Sequence, residues 1–100
     1  MSQVNELAKQ LDALGHPLSL KIIATLTEEE KYLNEIANTI GISRALAKIH
    51  LKKLEKADIV KSRIVTAKDE AKALRYYELK PFNIHVSPQI LKKEVEKIGQ

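Results

Sequence analysis

The stretch GISRALAKIHLKKLEKADIV, residues 41–60, decides how this chain folds. Gly41 follows Ile40 where a helix can close in a left-handed cap, and Ser43 is a good N-cap for a helix starting directly after it. Upstream, Ile36, Ala37 and Ile40 recur at helical spacing behind Asn34, which suits the cap of a short helix. A short helix, a turn of about three residues containing glycine, and a second helix form the spacing of a helix-turn-helix. On the second helix Ala47, Leu51 and Leu54 share one face and point to the core. Ala45, Ile49, Lys52 and Lys56 lie opposite, with Leu46, Lys48 and Lys53 on the flanks. A basic outer surface that keeps Leu46 and Ile49 calls for an explanation.

Outward from this motif the chain reads as more helix, then a strand pair, then helix. Val4, Leu7, Leu11 and Leu14 make a narrow helical stripe, which Gly15 ends. Pro17 suits the first turn of the next helix, whose inward residues are Leu18, Ile22, Ile23 and Leu26. Residues 27–31 are a polar connection, and Tyr32-Leu33 is a short extended piece. After Asp58 the apolar period changes to two, so Ile59 to Val65 and Leu74 to Leu79 read as paired strands. Their connection, Thr66 to Ala73, is longer than a tight turn and has no glycine, which predicts a mobile tip. Pro81 ends the second strand, Phe82 to Val86 reads as extended again, and Ser87-Pro88 opens a last helix with Leu91, Val95 and Ile98 in a stripe. The expected fold is one domain over residues 1–100, mainly α with a small antiparallel β-hairpin: a winged helix-turn-helix.

Charge narrows the function. Between Ser43 and Arg63 stand seven basic residues and two acidic ones, so this segment carries +5 while the remainder sums to −1. Such localisation points to a polyanionic partner more than the net charge of +4 does. The chain has no cysteine, which removes disulfides, thiol catalysis and thiolate metal sites. His16, His50 and His85 lack the spacing of a metal pair. His16, ahead of Pro17, reads as a local cap, and His50 as a partly buried, hydrogen-bonded side chain. Neither a catalytic triad nor a glycine-rich phosphate loop is present, so an enzyme is not expected. No apolar run reaches the roughly 20 residues of a membrane span, and Met1-Ser2-Gln3 begins no secretory signal, which predicts a cytoplasmic protein on the nucleoid.

Three segments together carry a family resemblance: LDALGHPLSLKIIATL (11–26), LNEIANTIGISRALAKIHLKKLEKADIV (33–60) and ALRYYEL (73–79). In their order and spacing the chain resembles the winged-helix arsenic-repressor-like (ArsR-like) transcription regulators. The resemblance implies that the helix at 44–57 enters the major groove, that the hairpin at 59–79 is the wing, and that the first and last helices pair two protomers. Ser19 stands where this family commonly has Arg, and Asp58 where it commonly has Gly. The family's metal sites, built on cysteines or on His and carboxylates of the last helix, have no counterpart among residues 88–98. No metal or cofactor is therefore expected.

These readings converge on double-stranded DNA as the partner of a homodimer that occupies an operator. Ser43 would open the recognition helix. Arg44, Lys48, Lys52 and Lys53, with Lys61, Arg63 and Arg75 on the wing, would attract phosphates; Ala45, Leu46, Lys48 and Ile49 would face base edges. The wing tip mixes Lys68 and Lys72 with Asp69 and Glu70. Tyr77 is expected in the core and Tyr76 on the opposite face. The dimer stripes are Val4, Leu7, Leu11 and Leu14 with Leu91, Val95 and Ile98, on helices at about 2–14 and 88–98. Two rival readings stay open: a chromatin-packing protein of low sequence preference, and a winged-helix module that binds an acidic protein.

Overall fold

The helix ends carry the local chemistry that stops and starts them. The computed structural model describes residues 3–66 and 73–98, the last two by backbone alone. Helix α1 runs Gln3–Leu14 and α2 runs Pro17–Leu26. His16 joins them: its Nδ1 accepts the Leu18 N–H at 3.0 Å, the local cap expected of it. After β1 (Lys31–Tyr32) comes α3 (Leu33–Ile40), which ends at Gly41 with φ of +82°. A Cβ there would meet nothing within 4 Å, so backbone conformation rather than space is what favours glycine. Ser43 then caps α4 (Arg44–Lys56), its Oγ accepting the Leu46 N–H at 3.1 Å.

Helix α4 closes in the same manner. The Ile59 N–H reaches the Leu54 carbonyl at 2.9 Å, the long bond of a left-handed C-cap. Asp58 supplies the left-handed residue, with φ of +63°, and its carboxylate is engaged by Lys80. Asp tolerates that conformation better than most residues, so the turn forms without glycine. Strands β2 (Val60–Thr66) and β3 (Ala73–Leu79) follow as an antiparallel pair, with Val60 opposite Leu79 and Ser62 opposite Tyr77. Strand β1 adds to the other edge of β3, giving the order β1-β3-β2. Helix α5 (Pro88–Ile98) starts at Ser87, whose Oγ accepts the Ile90 N–H at 3.2 Å.

Two local expectations are corrected. Asn34 is the second residue of α3 rather than its cap; Glu35 reaches back to the Tyr32 N–H at 3.1 Å and satisfies the helix start instead. Residues 80–87 form neither helix nor strand, so the piece read as extended at Phe82 to Val86 joins no sheet. The charges of Lys68, Asp69, Glu70 and Lys72, and the expected mobility of the tip, lie outside the described residues.

The core gathers Ile22 and Leu26 of α2, Ile36 of α3, Leu51 and Leu54 of α4, and Ile59, Val60 and Tyr77 at the base of the wing. Tyr77 is 2% exposed, as its strand face predicted. Burial pushes its hydroxyl above the ordinary range, with the Glu55 carboxylate adding to the effect, so it stays neutral. Helix α4 and the β2–β3 wing are thus fixed to one core.

Candidate nucleic-acid interface

Helix α4 divides as the sequence predicts. Ala47, Leu51 and Leu54 are fully buried; Arg44, Ala45, Lys48, Ile49, Lys52, Lys53 and Lys56 are exposed. Ile49 is 58% exposed and Leu46 37%, so Ile49 is the more open of the two. The Arg44 guanidinium donates to Asn34 Oδ1 at 3.3 Å, a neutral partner that leaves its charge uncompensated.

Residues paired directly across antiparallel strands share one face of the sheet. The face carrying the buried Tyr77 therefore also carries Ser62, Ile64 and Arg75, and it looks toward α4. Lys48, Lys52, Lys56 and Arg75, with Glu55 at the floor, line the groove between α4 and the wing. A continuation of that groove runs past Arg44 and Asn34 toward Leu74. Arg75 donates to Ser62 Oγ at 3.0 Å, and Ser62 donates to Glu55 Oε2 at 3.1 Å.

Lys61 and Arg63 lie elsewhere. Their register positions, opposite Glu78 and Tyr76, put both on the far face of the wing. Lys61 pairs with Glu78 at 3.2 Å; Arg63 pairs with Glu30 and sits 5.7 Å over the Tyr76 ring. The structure thus separates them from the α4 cations with which the sequence reading grouped them, because side chains alternate along a strand. Tyr76 is on that far face as expected, packed beside Tyr32 with ring centroids 5.7 Å apart. Lys53 turns toward α1 and meets Asp12 at 3.6 Å.

The inner flank of α4 holds His50, 8% exposed, with its Nδ1 3.3 Å from the oxygen of the fully buried Ser19. Its ring lies 4.5 Å from that of His16. Burial, then the neighbouring His16 and Lys53, hold the His50 pKa below its ordinary 6.5. The sequence placed His50 at the core edge and His16 at a cap, but gave no sign that the two meet. Ser62 and Glu55 were also missed as groove residues; only the strand register brings them to Arg75.

Helix α1 also packs against α5. Leu14 joins the core, Val4 and Leu7 are half-buried, and Leu11, Leu91 and Val95 stay exposed. The Ile98 side chain lies outside the described residues. Phe82 and Val86, on the segment leading into α5, are exposed as well.

Residues 14–63 match the model of a helix-turn-helix domain family. An uncharacterized HTH-type transcriptional regulator of Methanocaldococcus jannaschii is 35% identical over 91 residues, covering 91% of this chain and 94% of that protein. Among solved structures, the transcriptional repressor BigR from Xylella fastidiosa is 30% identical with a TM-score of 0.64, over 79% of this chain and 74% of its own. A homodimeric winged helix-turn-helix DNA-binding domain from Mycobacterium bovis, a possible ArsR-family regulator, superposes with a TM-score of 0.65 at 19% identity, covering 96% and 80%. The chain belongs to the ArsR-like winged-helix transcription regulators. As an ArsR-like regulator it carries Ser19 inside the fold rather than a long basic side chain, and Asp58 at the exit of its recognition helix. Among the described residues no helix is long and apolar enough to cross a membrane.

Proposed function

We propose that this ArsR-like regulator binds duplex DNA as a homodimer, with sequence preference, and represses transcription by occupying an operator on the nucleoid. The observation that carries the reading is the composition of the α4 outer surface. Arg44, Lys48, Lys52 and Lys56 have no ion-pair partner among the described residues, and Arg75 faces them across the groove. Cations left open in this way attract phosphates, each releasing counterions on contact. Leu46 and Ile49 stand among them and cannot hydrogen-bond a base, but they can pack on the thymine C5-methyl in the major groove. Their exposure supports a division of labour in which the aliphatic pair reads A·T steps while the lysines supply affinity.

The apolar side chains left open on α1 and α5, Leu11, Leu91 and Val95, support pairing of two copies. A two-fold dimer presents two recognition helices about 34 Å apart, so the preferred site is an inverted repeat. The test is selection of bound duplexes from a random pool at physiological salt. An A·T-containing inverted repeat is expected. A salt-sensitive pool without enriched sequence would instead identify a packing protein, and no retained duplex would favour an acidic protein partner. Replacing Leu7 and Leu11 by Glu should abolish the dimer in sedimentation; an intact dimer would move the interface away from α1.

A further inference from the structure

The near face of the wing carries a hydrogen-bonded chain that DNA attraction alone does not require. Glu55 belongs to the last turn of α4, Ser62 to β2 and Arg75 to β3, and all three meet at one serine oxygen. Its direction is fixed by chemistry. An ionised carboxylate only accepts and a guanidinium only donates, so the single hydroxyl proton goes to Glu55 and a lone pair receives Arg75. With a charge at each end, both bonds are stronger than neutral ones and polarise each other in the same sense.

Ser62 also keeps the two charges apart. On the far face, with no such spacer, Arg63 closes on Glu30 and Lys61 on Glu78. On the near face Glu55 and Arg75 form no direct ion pair, and Ser62, half-buried between them, binds both. Glu55 is the one carboxylate among the described residues that line the groove. A direct Glu55–Arg75 pair would remove the wing's cation from that groove.

We infer that Ser62 is a positioning residue for DNA binding: it tethers Arg75 at a fixed distance from α4 and prevents Glu55 from neutralising it. The inference rests on the proposed DNA-binding function. It extends that function by assigning a neutral residue control over one of the phosphate contacts.

The test measures affinity for a mixed-sequence duplex across a salt series, with folding checked by circular dichroism. Arg75→Ala should lower the slope of log affinity against log salt by about one per protomer. Ser62→Ala removes no charge and should lower it by the same amount, because Arg75 then closes on Glu55. Ser62→Thr, which keeps the hydroxyl, should retain the original slope, and Ser62→Ala combined with Glu55→Gln should restore it. A merely structural serine would not be rescued by a change at Glu55. If Ser62→Ala fails to fold, the near-isosteric pair Ser62→Thr and Ser62→Val, both suited to strands, makes the same comparison. An unaltered slope in Ser62→Ala or Ser62→Val, with a reduced one in Arg75→Ala, overturns the inference and leaves DNA binding standing. An unaltered slope in Arg75→Ala overturns it as well, by removing Arg75 from the DNA. Failure of the unmodified protein to bind any duplex at low salt refutes the function itself.

Discussion

Lys52 and Lys53 are neighbours in sequence, yet they lie on flanks of α4 with opposite character. Lys52 borders the groove toward the wing, beside Lys48, Lys56 and Arg75. Lys53 faces α1 and reaches Asp12, and one turn before it His50 closes onto Ser19 and His16. One flank satisfies its polar groups within the protein; the other leaves cations open. An exposed pair such as Lys53–Asp12 is worth only about 0–1 kcal/mol, so the contrast rests on orientation more than on pair strength. Of the seven basic residues between 43 and 63, Lys53, Lys61 and Arg63 each have a carboxylate partner, while Arg44, Lys48, Lys52 and Lys56 have none among the described residues. A count of charges therefore overstates the surface available to a polyanion, and the direction of each side chain corrects it.

The inner flank is where the largest effect is expected. His50→Ala strips the fully buried Ser19 hydroxyl of its partner and should cost about 1–3 kcal/mol in urea denaturation. Lys52→Ala, on the open flank, should stay within about 0.5 kcal/mol. Similar losses for the two variants would erase the distinction between the flanks. The same His50 makes stability depend on pH. Its folded pKa is depressed, so between that value and 6.5 the unfolded chain holds more protons than the native one. Its contribution is complete above 6.5 and declines as the pH falls toward the folded value. His50→Gln should show a smaller stability loss than the parent between about pH 7.5 and 5.5; equal losses would assign the acid sensitivity to other groups.

Salt titration of DNA affinity compares the flanks next. Lys52→Ala should reduce the slope by about one per protomer, and Lys53→Ala by clearly less. Equal reductions would show that Lys53 leaves Asp12 and joins the DNA surface. The smallest effect belongs to Ile49. With its side chain 58% exposed, Ile49→Ala should scarcely change stability or salt slope, but should relax the A·T preference by about 1 kcal/mol or less per half-site. A large drop in melting temperature with preference intact would make Ile49 structural.

What the sequence disclosed was mostly local. Gly41, Ser43, His16 and Asp58 act on backbone groups a few residues away, so the start of α2, the end of α3 and both ends of α4 could be read from the chain. The same holds for the stripe of Ala47, Leu51 and Leu54, which follows from helical period alone. Features made by distant partners were not legible. The short extended piece read at Tyr32-Leu33 lies one residue earlier, at Lys31–Tyr32, and its pairing with β3 was not foreseen. Arg63 finds Glu30 across 33 positions, and Ser19 finds His50 across 31. The Glu55–Ser62–Arg75 chain needs the register of β2 on β3, which alternation alone does not supply. Asn34 misled because a good capping residue stood next to Glu35, which caps from the other side.

Three residues, 57–59, connect the recognition helix to the wing, and two of them, Ala57 and Ile59, are almost completely buried. That brevity turns the connection into a ruler for the wing. Strand faces alternate with every residue, so one insertion here carries Lys61 to the place of Ser62 and turns the paired face of the wing toward the groove. Substitutions on the outer surface of α4 leave the strand register untouched. At residues 57–59, a change of length by a single residue takes Ser62 out of line with Glu55 and Arg75 and separates Arg63 from Glu30. The number of residues behind α4 is therefore constrained more tightly than the identity of the side chains on its outer surface.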